Sequence, residues 1–537
     1  MAVDNLRILE ESIRRRTIAV ISHPDAGKST LTEALLLHAD VIDQAGAVHG
    51  KSGRAATVSD WMAMEKARGI SISSAAIQFE HRGAVINLVD TPGHADFSED
   101  TFRVLSAVDA AIMLVDASKG LETQTMKLFD ACRRWSVPII TMINKWDRPG
   151  RDALALIDEI EHRTGLIPTP VNWPVGEAGR LLGLHAVDSD RMLRFHRTPG
   201  GARVATHETL SAGDAETFCG TDWRVAVEEV TLLRADGRAH NPAQFRAGLT
   251  TPVLFGAAVQ NIGVAQLLDV VVADAPAATV RTDTAGRSRP VNGDFSGYVF
   301  KVQSGMNPAH RDRLAFIRVC SGMFARGTVI QHAQTGRPFA TKYAQQLLGQ
   351  QRHTIDTAWP GDIFGLVNAS HLRPGDTVFT GEPVRYPALP KFAPEHFQLA
   401  RSADSSKAKQ FRRGIEELDQ EGVIQALRTS RYGDQAPILG AVGPMQFEVV
   451  EDRMKNDYGA AISLEPLKYT VARVTTLESA AALEYVPDCE ITRRSDGAIV
   501  ALFTNEWRVN AIKRDRPTLV IDTLAGTDTP TLTLDRA

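Results

Sequence analysis

At roughly 150 residues per domain, 537 residues make room for about three to four domains. With 43% apolar and 23% charged residues the composition is globular, which excludes a disordered tail, a collagen-like fibre and a disulfide-stapled miniprotein. The 60 basic against 64 acidic residues leave a formal charge of −4, so no global basic excess points to nucleic acid, while a local basic face stays open.

The opening stretch MAVDNLRILEESIRRRTIAVISHPD is charged throughout and has neither a secretory apolar core nor a small-residue cleavage site. Nowhere does the sequence approach ~20 consecutive apolar residues. Cys132, Cys219, Cys320 and Cys489 stand singly, without the CxxC pairs or His spacing of a zinc site. A soluble protein of a reducing cytoplasm, with no membrane contact, is expected.

From Thr17 to about Pro170, short apolar runs alternate with helix-like segments, the pattern of a parallel sheet covered on both faces. The predicted strands are Thr17 to Ser22, Ala84 to Asp90, Ala110 to Asp116 and Val137 to Asn144. Between His38 and Ser74 lies a long polar, Gly-containing stretch with a short helix signal around Trp61 to Lys66. After Gly165 the pattern turns irregular, until Thr251 to Val264 restores a buried strand, a loop and a helix. The first domain is predicted to span 1–278, ending before the polar linker TVRTDTAGRSRP. Short alternating runs punctuated by Gly, Pro and Asp predict an antiparallel β-barrel over 279–388, and mixed helix and strand signals predict an α+β domain over 389–537. No fixed-period repeat is visible.

Three strand ends carry chemistry, and in such sheets ligands bind beyond the carboxyl ends of the strands. The first is SHPDAGKST: Ser22, His23, Pro24, Asp25, Ala26, Gly27, Lys28, Ser29 and Thr30 follow a strand and open an amphipathic helix. Its backbone N–H groups can wrap a β-phosphate, Lys28 can reach β and γ oxygens, and the Ser29 hydroxyl can ligate Mg²⁺. Read literally, GxxxxGK[ST] fails at its first position, where Ser22 replaces Gly. The second is DTPGH, Asp90, Thr91, Pro92, Gly93 and His94, where a carboxylate can hold Mg²⁺ through water and the Gly93 N–H can sense a γ-phosphate; alone it would be a plain turn. The third is NKWD, Asn144, Lys145, Trp146 and Asp147, where the Asp147 carboxylate can accept from the N1–H and N2 amino group of guanine. A buried carboxylate left unpaired by the wrong base gives discrimination. Three such motifs in order at three strand ends predict GTP binding.

With these residues in hand, the sequence resembles the translational GTPases, and most closely the bacterial peptide chain release factor 3 family. SHPDAGKST, SDWMAMEKARGISIS, VDTPGHADFSEDTFRVLSAVDAAIMLVDASKG, VNWPVG and LGAVGPMQFEVV carry the likeness, which runs to roughly Tyr458 and more faintly to the end. The resemblance implies an α/β P-loop GTPase domain, an antiparallel β-barrel domain and an α+β C-terminal domain. It also implies a ribosome-stimulated GTPase of termination that promotes dissociation and recycling of class I release factors. GTP/GDP and Mg²⁺ are the implied cofactors. The implied partners are the ribosome, through its sarcin-ricin loop and ribosomal proteins, and class I factors functionally, the chain acting as a monomer.

Residue by residue, the resemblance gives His94 the role of orienting the attacking water, and Asp25 that of a loop carboxylate in the same activation. Ser71 falls where a switch hydroxyl ligates Mg²⁺ in the GTP state, with Ser29, and with Asp90 through water. Pro24 and Ile70 fall at an apolar gate around the histidine. Ala257 and Ala258 stand where the family commonly has Ser-Ala, whose backbone meets the guanine oxygen. A histidine after Pro-Gly could also cap the following helix or sit exposed, but its place directly after Gly93 favours the catalytic role. The basic runs Ile13 to Arg16, Ala309 to Arg313 and Lys407 to Arg413 fit ribosome contact or solvated faces, the last because Glu416, Glu417, Asp419 and Glu421 follow it. Trp61 is either a core anchor or a ribosome-facing contact. The rival readings are an elongation or ribosome-protection GTPase, and a nucleotide-regulated module without hydrolysis. Length and the SDWM segment favour termination over the former, and His94, Ser71 and Asp90 stand against the latter.

Overall fold

The computed structural model describes residues 2–42, 64–65, 71–196, 203–304, 313–348, 351–367, 369–389 and 392–524. Trp61, Ile70 and all but the last residue of the Ala309 to Arg313 run lie outside them, and only Met64 and Glu65 of the predicted short helix are included.

The N-terminal region is built on β1 (Arg15–Ser22), β2 (Ala75–His81), β3 (Ala84–Asp90), β4 (Ala110–Asp116), β5 (Ile139–Asn144) and β6 (Ile167–Pro170). A second, antiparallel sheet follows, from β7 (Asn172–Val175), β8 (Gly183–Ala186), β9 (Arg191–Phe195) and β10 (His207–Leu210). The chain then returns through β11 (Thr250–Phe255) to the main sheet, whose order is β2-β3-β1-β4-β5-β11-β6. All its neighbours run parallel except β2 against β3. Every residue of β3, β4 and β5 is buried, as strands covered on both faces require.

The predicted strands over 84–90 and 110–116 match the observed ones. β1 starts earlier, at Arg15, because the helix Ala2–Arg14 runs directly into it. β5 starts later, at Ile139, the residue after Pro138, which has no N–H to give a ladder. The stretch predicted as irregular after Gly165 is ordered: besides β7 to β10 it holds helices Ala212–Cys219 and Thr221–Ala235, packed on buried Trp173, Leu184, Met192 and Trp223. Its strands of four or five residues are too short to display a period. The expected linker also has structure, Arg281–Thr282 pairing with Ser288–Arg289.

Beyond it, Ser296–Ser304, Arg313–Ser321, Val329–His332, Ile363–Val367 and Thr377–Phe379 belong to a curled antiparallel sheet around Val299, Ile317, Phe324, Phe364 and Val378. Among the described residues a single pairing, Leu348 with Ile77, joins this sheet to β2 through the strand Ala344–Leu348. The seam between the two regions carries buried ion pairs. Arg318 Nη2 donates to both oxygens of Asp109, at 2.7 and 2.8 Å, with side chains 1% and 3% exposed. Arg15 Nε lies 2.8 Å from Asp362 Oδ1, and Thr17 Oγ1 donates to Gly361 O.

The C-terminal region is a seven-stranded antiparallel sheet. Its first half runs strand His396–Ser402, helix Ala408–Glu421, strands Gln425–Thr429 and Ile438–Ala441, helix Met445–Asn456, strand Ile462–Pro466. That is a βαββαβ split unit. The second half repeats the plan with strand Val471–Thr475, helix Leu477–Leu483, strands Cys489–Arg494 and Ile499–Phe503 and helix Glu506–Asp515, closed by an Asp522–Val474 bridge. The halves join edge to edge where Leu427 to Thr429 pairs with Thr492 to Arg494. A topological repeat therefore exists where no sequence repeat is visible, and residues after Tyr458 supply four of the seven strands.

Candidate functional site

The loop from Ser22 to Gly27 turns sharply because Asp25 and Gly27 take left-handed backbone angles, φ 65° and 96°. Gly27 is needed twice over, since a Cβ there would also lie 2.7 Å from Asn144 Nδ2. The helix Lys28–His38 begins directly after it, so its unpaired first-turn N–H groups and positive dipole end face the loop. Lys28 Nζ donates to Asp90 Oδ1 at 2.6 Å and to Ser71 Oγ at 3.4 Å, which joins the first and second motifs and Ser71 in one place. The other oxygen, Asp90 Oδ2, is buried without a hydrogen-bond partner among the described residues.

Asn144 ties the third motif to the first. Its Nδ2 donates to Ala26 O at 2.8 Å and its Oδ1 accepts from Ala258 N at 2.8 Å. Lys145 Nζ lies 2.8 Å from Asp116 Oδ2 and donates to Asp25 O. Burial raises the Asp116 carboxyl, but the hydrogen bonds from Lys145 and Ser118 outweigh it and hold the carboxyl at about 2. Asp147 takes a weak bond from Gln260 Nε2 at 3.4 Å, while its Oδ1 is buried with no partner among the described residues.

His23 is fully buried, its Nδ1 2.7 Å from both Pro24 O and Glu122 Oε2. Burial pushes the imidazole below its ordinary pKa, against the pull of Glu122. Ser22 and Thr91 turn their hydroxyls to backbone, at His23 O and Val20 O. Ser29, Thr30 and Pro24 are half-buried and Asp25 is exposed. Pro92 O accepts from Thr101, and Gly93 lies against His23 O and the Pro24 Cα.

Comparison with known proteins gives this geometry its family. The family model for the elongation factor Tu GTP binding domain matches residues 13–277, that for elongation factor G domain 2 matches 294–381, and that for the C-terminal domain of class II release factor RF3 matches 386–513. Among curated relatives, the peptide chain release factor 3 of Synechococcus elongatus is 43% identical over 98% of this chain and 96% of its own. That of Gloeobacter violaceus is 42% identical over 97% of this chain and 100% of its own. The chain belongs to the peptide chain release factor 3 family. This release factor 3 family member is accordingly a guanine-nucleotide-binding GTPase of translation termination that acts on the ribosome. A crystal structure of a Thermus thermophilus protein shares the fold, with TM-score 0.68 and 21% identity over 90% of this chain and 71% of that one.

Among the expected positions, the structure joins Lys28 to Asp90 and Ser71, and Asn144 to Ala26 and Ala258, and turns others elsewhere. The Trp146 side chain is 2% exposed and packs edge-on to Phe255 at 4.9 Å, so it serves the core and not the pocket. The Ala257 and Ala258 amides already donate, to Ile262 O and Asn144 Oδ1. His94 sits at the N-terminus of the short helix Ala95–Phe97, where its Nδ1 accepts from Asp96 N at 3.4 Å. Its capping and its expected catalytic work therefore fall on the same ring. Sequence reasoning missed Asp116, which ends β4 as Asp90 ends β3 and Asn144 ends β5. The rule that ligands gather at strand ends was the signal for it. Among the described residues no helix is long and apolar enough to cross a membrane.

Proposed function

We propose that the GTP form engages a ribosome carrying a class I decoding factor and favours a ribosomal conformation from which that factor dissociates, after which hydrolysis releases this protein. A shift of that kind requires that the GTP form bind the two ribosomal states unequally. The observation that carries the nucleotide reading is the pair of orphaned buried oxygens, Asp90 Oδ2 at the phosphate end and Asp147 Oδ1 at the base end. A buried carboxylate oxygen without a partner is costly, and a nucleotide with its cation relieves both at once.

Asp147 would accept from the guanine N1–H and N2 amino group, with Asn144 bracing the loops and Lys145 held across the base by Asp116. The N–H groups from Asp25 to Ser29 would wrap the β-phosphate, and Lys28 would leave Asp90 for the β and γ oxygens. The donor set of two hydroxyls and one carboxylate fits Mg²⁺, with Ser29 and Ser71 as ligands and Asp90 acting through water. That ion supplies neutralisation of charge on the β and γ oxygens. Phosphoryl transfer passes through a loose transition state, so the chain contributes mainly by alignment. His94 would orient the attacking water once the sarcin-ricin loop acts on it, with Asp25 assisting and Pro24 at the gate. Three domains, 1–278, 279–388 and 389–537, would work as a cytoplasmic monomer without membrane contact, touching ribosomal RNA and ribosomal proteins.

The test is GTP hydrolysis by wild type and His94→Ala, with and without ribosomes, together with recycling of a class I factor from termination complexes. Ribosome stimulation with recycling in the wild type, and loss of stimulation in His94→Ala, is expected. Stimulation without recycling would favour the elongation or ribosome-protection reading, and a fully stimulated His94→Ala would remove the histidine's role.

A further inference from the structure

Just after His94 the chain reaches toward the C-terminal region by two charges. Asp96 Oδ2 accepts from Met445 N at 2.8 Å, and Met445 is the first residue of the helix Met445–Asn456. Arg103, on the helix Ser98–Leu105, donates to Glu421 O at 2.7 Å, the last residue of the helix Ala408–Glu421. A carboxylate thus meets the positive end of one helix and a guanidinium the negative end of the other, the favourable sense in both cases.

The Asp96 contact is a fitted one. A Cβ added at Gly443 would overlap the Asp96 carboxylate, so only glycine lets the two segments close. Gln446 fixes the turn from behind, its Oε1 accepting from Val442 N and Gly443 N and its Nε2 donating to Val423 O. Phe97 packs beside it with Ile72 and Val449. The GPMQF stretch, which nucleotide chemistry leaves unexplained, is the receptor for Asp96. The same Asp96 also holds His94: its backbone N–H donates to the imidazole Nδ1 at 3.4 Å, while its Oδ1, 3.3 Å from that nitrogen, takes over as acceptor only when Nδ1 carries the proton.

We propose that Asp96 is a positioning residue through which the docked C-terminal region restrains His94 in its capping pose. Docking fixes Asp96, and Asp96 anchors the imidazole by Nδ1, so the ring is not free to aim at water. Displacement of the helix Met445–Asn456 removes the carboxylate's second partner and loosens that anchor. Slow hydrolysis off the ribosome follows from the docked arrangement, and a ribosome that shifts the C-terminal region would lift the restraint. This inference rests on the reading of His94 as the water-orienting group.

The test uses Gly443→Ala in the full chain, a change on the far side of the contact that leaves every nucleotide-site residue intact. Single-turnover GTP hydrolysis without ribosomes is expected to rise about three- to tenfold, with the GTP dissociation constant unchanged within about twofold and the rise abolished in Gly443→Ala/His94→Ala; a tenfold change corresponds to about 1.4 kcal/mol in the barrier. Asp96→Ala, compared in the same way, gives the same His94-dependent rise and serves if Gly443→Ala fails to fold. An unchanged or lowered rate overturns the restraint, and so does a rise that persists without His94. A fully ribosome-stimulated His94→Ala, by contrast, would remove the underlying reading of the histidine.

Discussion

The N-terminal region meets its two neighbours by different chemistry. Against the barrel it commits side-chain charge to side-chain charge, Asp109 to Arg318 and Arg15 to Asp362, all with side chains less than a tenth exposed. Against the C-terminal region it offers charges to helix ends, Asp96 to Met445 N and Arg103 to Glu421 O. A buried ion pair cannot part without stranding two charges. A helix-end N–H or carbonyl accepts water as a replacement, so its partner is exchangeable. The first contact therefore fixes two regions as one body, and the second can be made and unmade. The exchangeable contact is the one built from the segment that directly follows Gly93 and His94.

The comparison breaks first at Arg318. Arg318→Ala leaves the Asp109 carboxylate buried and alone, and is expected to cost about 3–5 kcal/mol, read as a fall in the urea midpoint. Arg318→Met together with Asp109→Leu removes both charges and should recover most of it. A cost for Arg318→Ala below about 1 kcal/mol, the range of an exposed pair, would mean that the seam is no firmer than the junction. Arg103→Ala in a Glu99→Gln background, so that the buried carboxylate paired with Arg103 is not stranded, is the smaller change: about 1–2 kcal/mol relative to Glu99→Gln, the worth of a charge at a partly buried helix terminus. Its expected reading is easier proteolysis and earlier thermal unfolding of the C-terminal region, with the GTP-bound transition of the N-terminal region in place. A loss equal to that of Arg318→Ala would erase the distinction between the two contacts.

The two contacts also differ in how far they could be read from the sequence. The sheet was legible because β3 and β4 are uninterrupted apolar runs, and the pocket because its residues cluster at strand ends. Lys28 lies on Asp90 and Ser71, and Asn144 braces the loop that leads into Lys28. Trp146 was misplaced because a four-residue motif does not say which side chain turns inward; packing on Phe255 decides that. Asp96, Arg103, Asp109 and Arg318 were not legible at all. Their cross-region partners lie between 209 and 349 residues away along the chain, and no local pattern marks a charge that pairs across regions. The doubled βαββαβ plan was hidden for a related reason: topology repeats when strand order repeats, whatever residues fill it.

The finest discrimination comes from pH, at the point where the N-terminal region, the barrel and the C-terminal region all approach. Asp100 Oδ2 accepts from Ser74 N at 2.6 Å and lies 3.6 Å from Lys301 Nζ, and Lys301 in turn donates to Ser74 O. Burial would raise the Asp100 carboxyl, but the Lys301 ammonium and the Ser74 N–H outweigh it and hold it below its ordinary 3.8. A carboxyl lowered by folding stabilises the fold above its unfolded value, and that contribution is lost as pH falls through the folded value. Wild type should therefore lose stability on acidification below about pH 4 more steeply than Asp100→Asn, which has no carboxyl to protonate. The same difference should survive in an Arg318→Met/Asp109→Leu background, because the seam pair is a separate site. Parallel acid limbs for wild type and Asp100→Asn would show that Lys301 is held by Ser73 and Ser74 alone. A difference abolished by the seam substitutions would join the two contacts into one cooperative unit, and the N-terminal region would then have one kind of boundary instead of two.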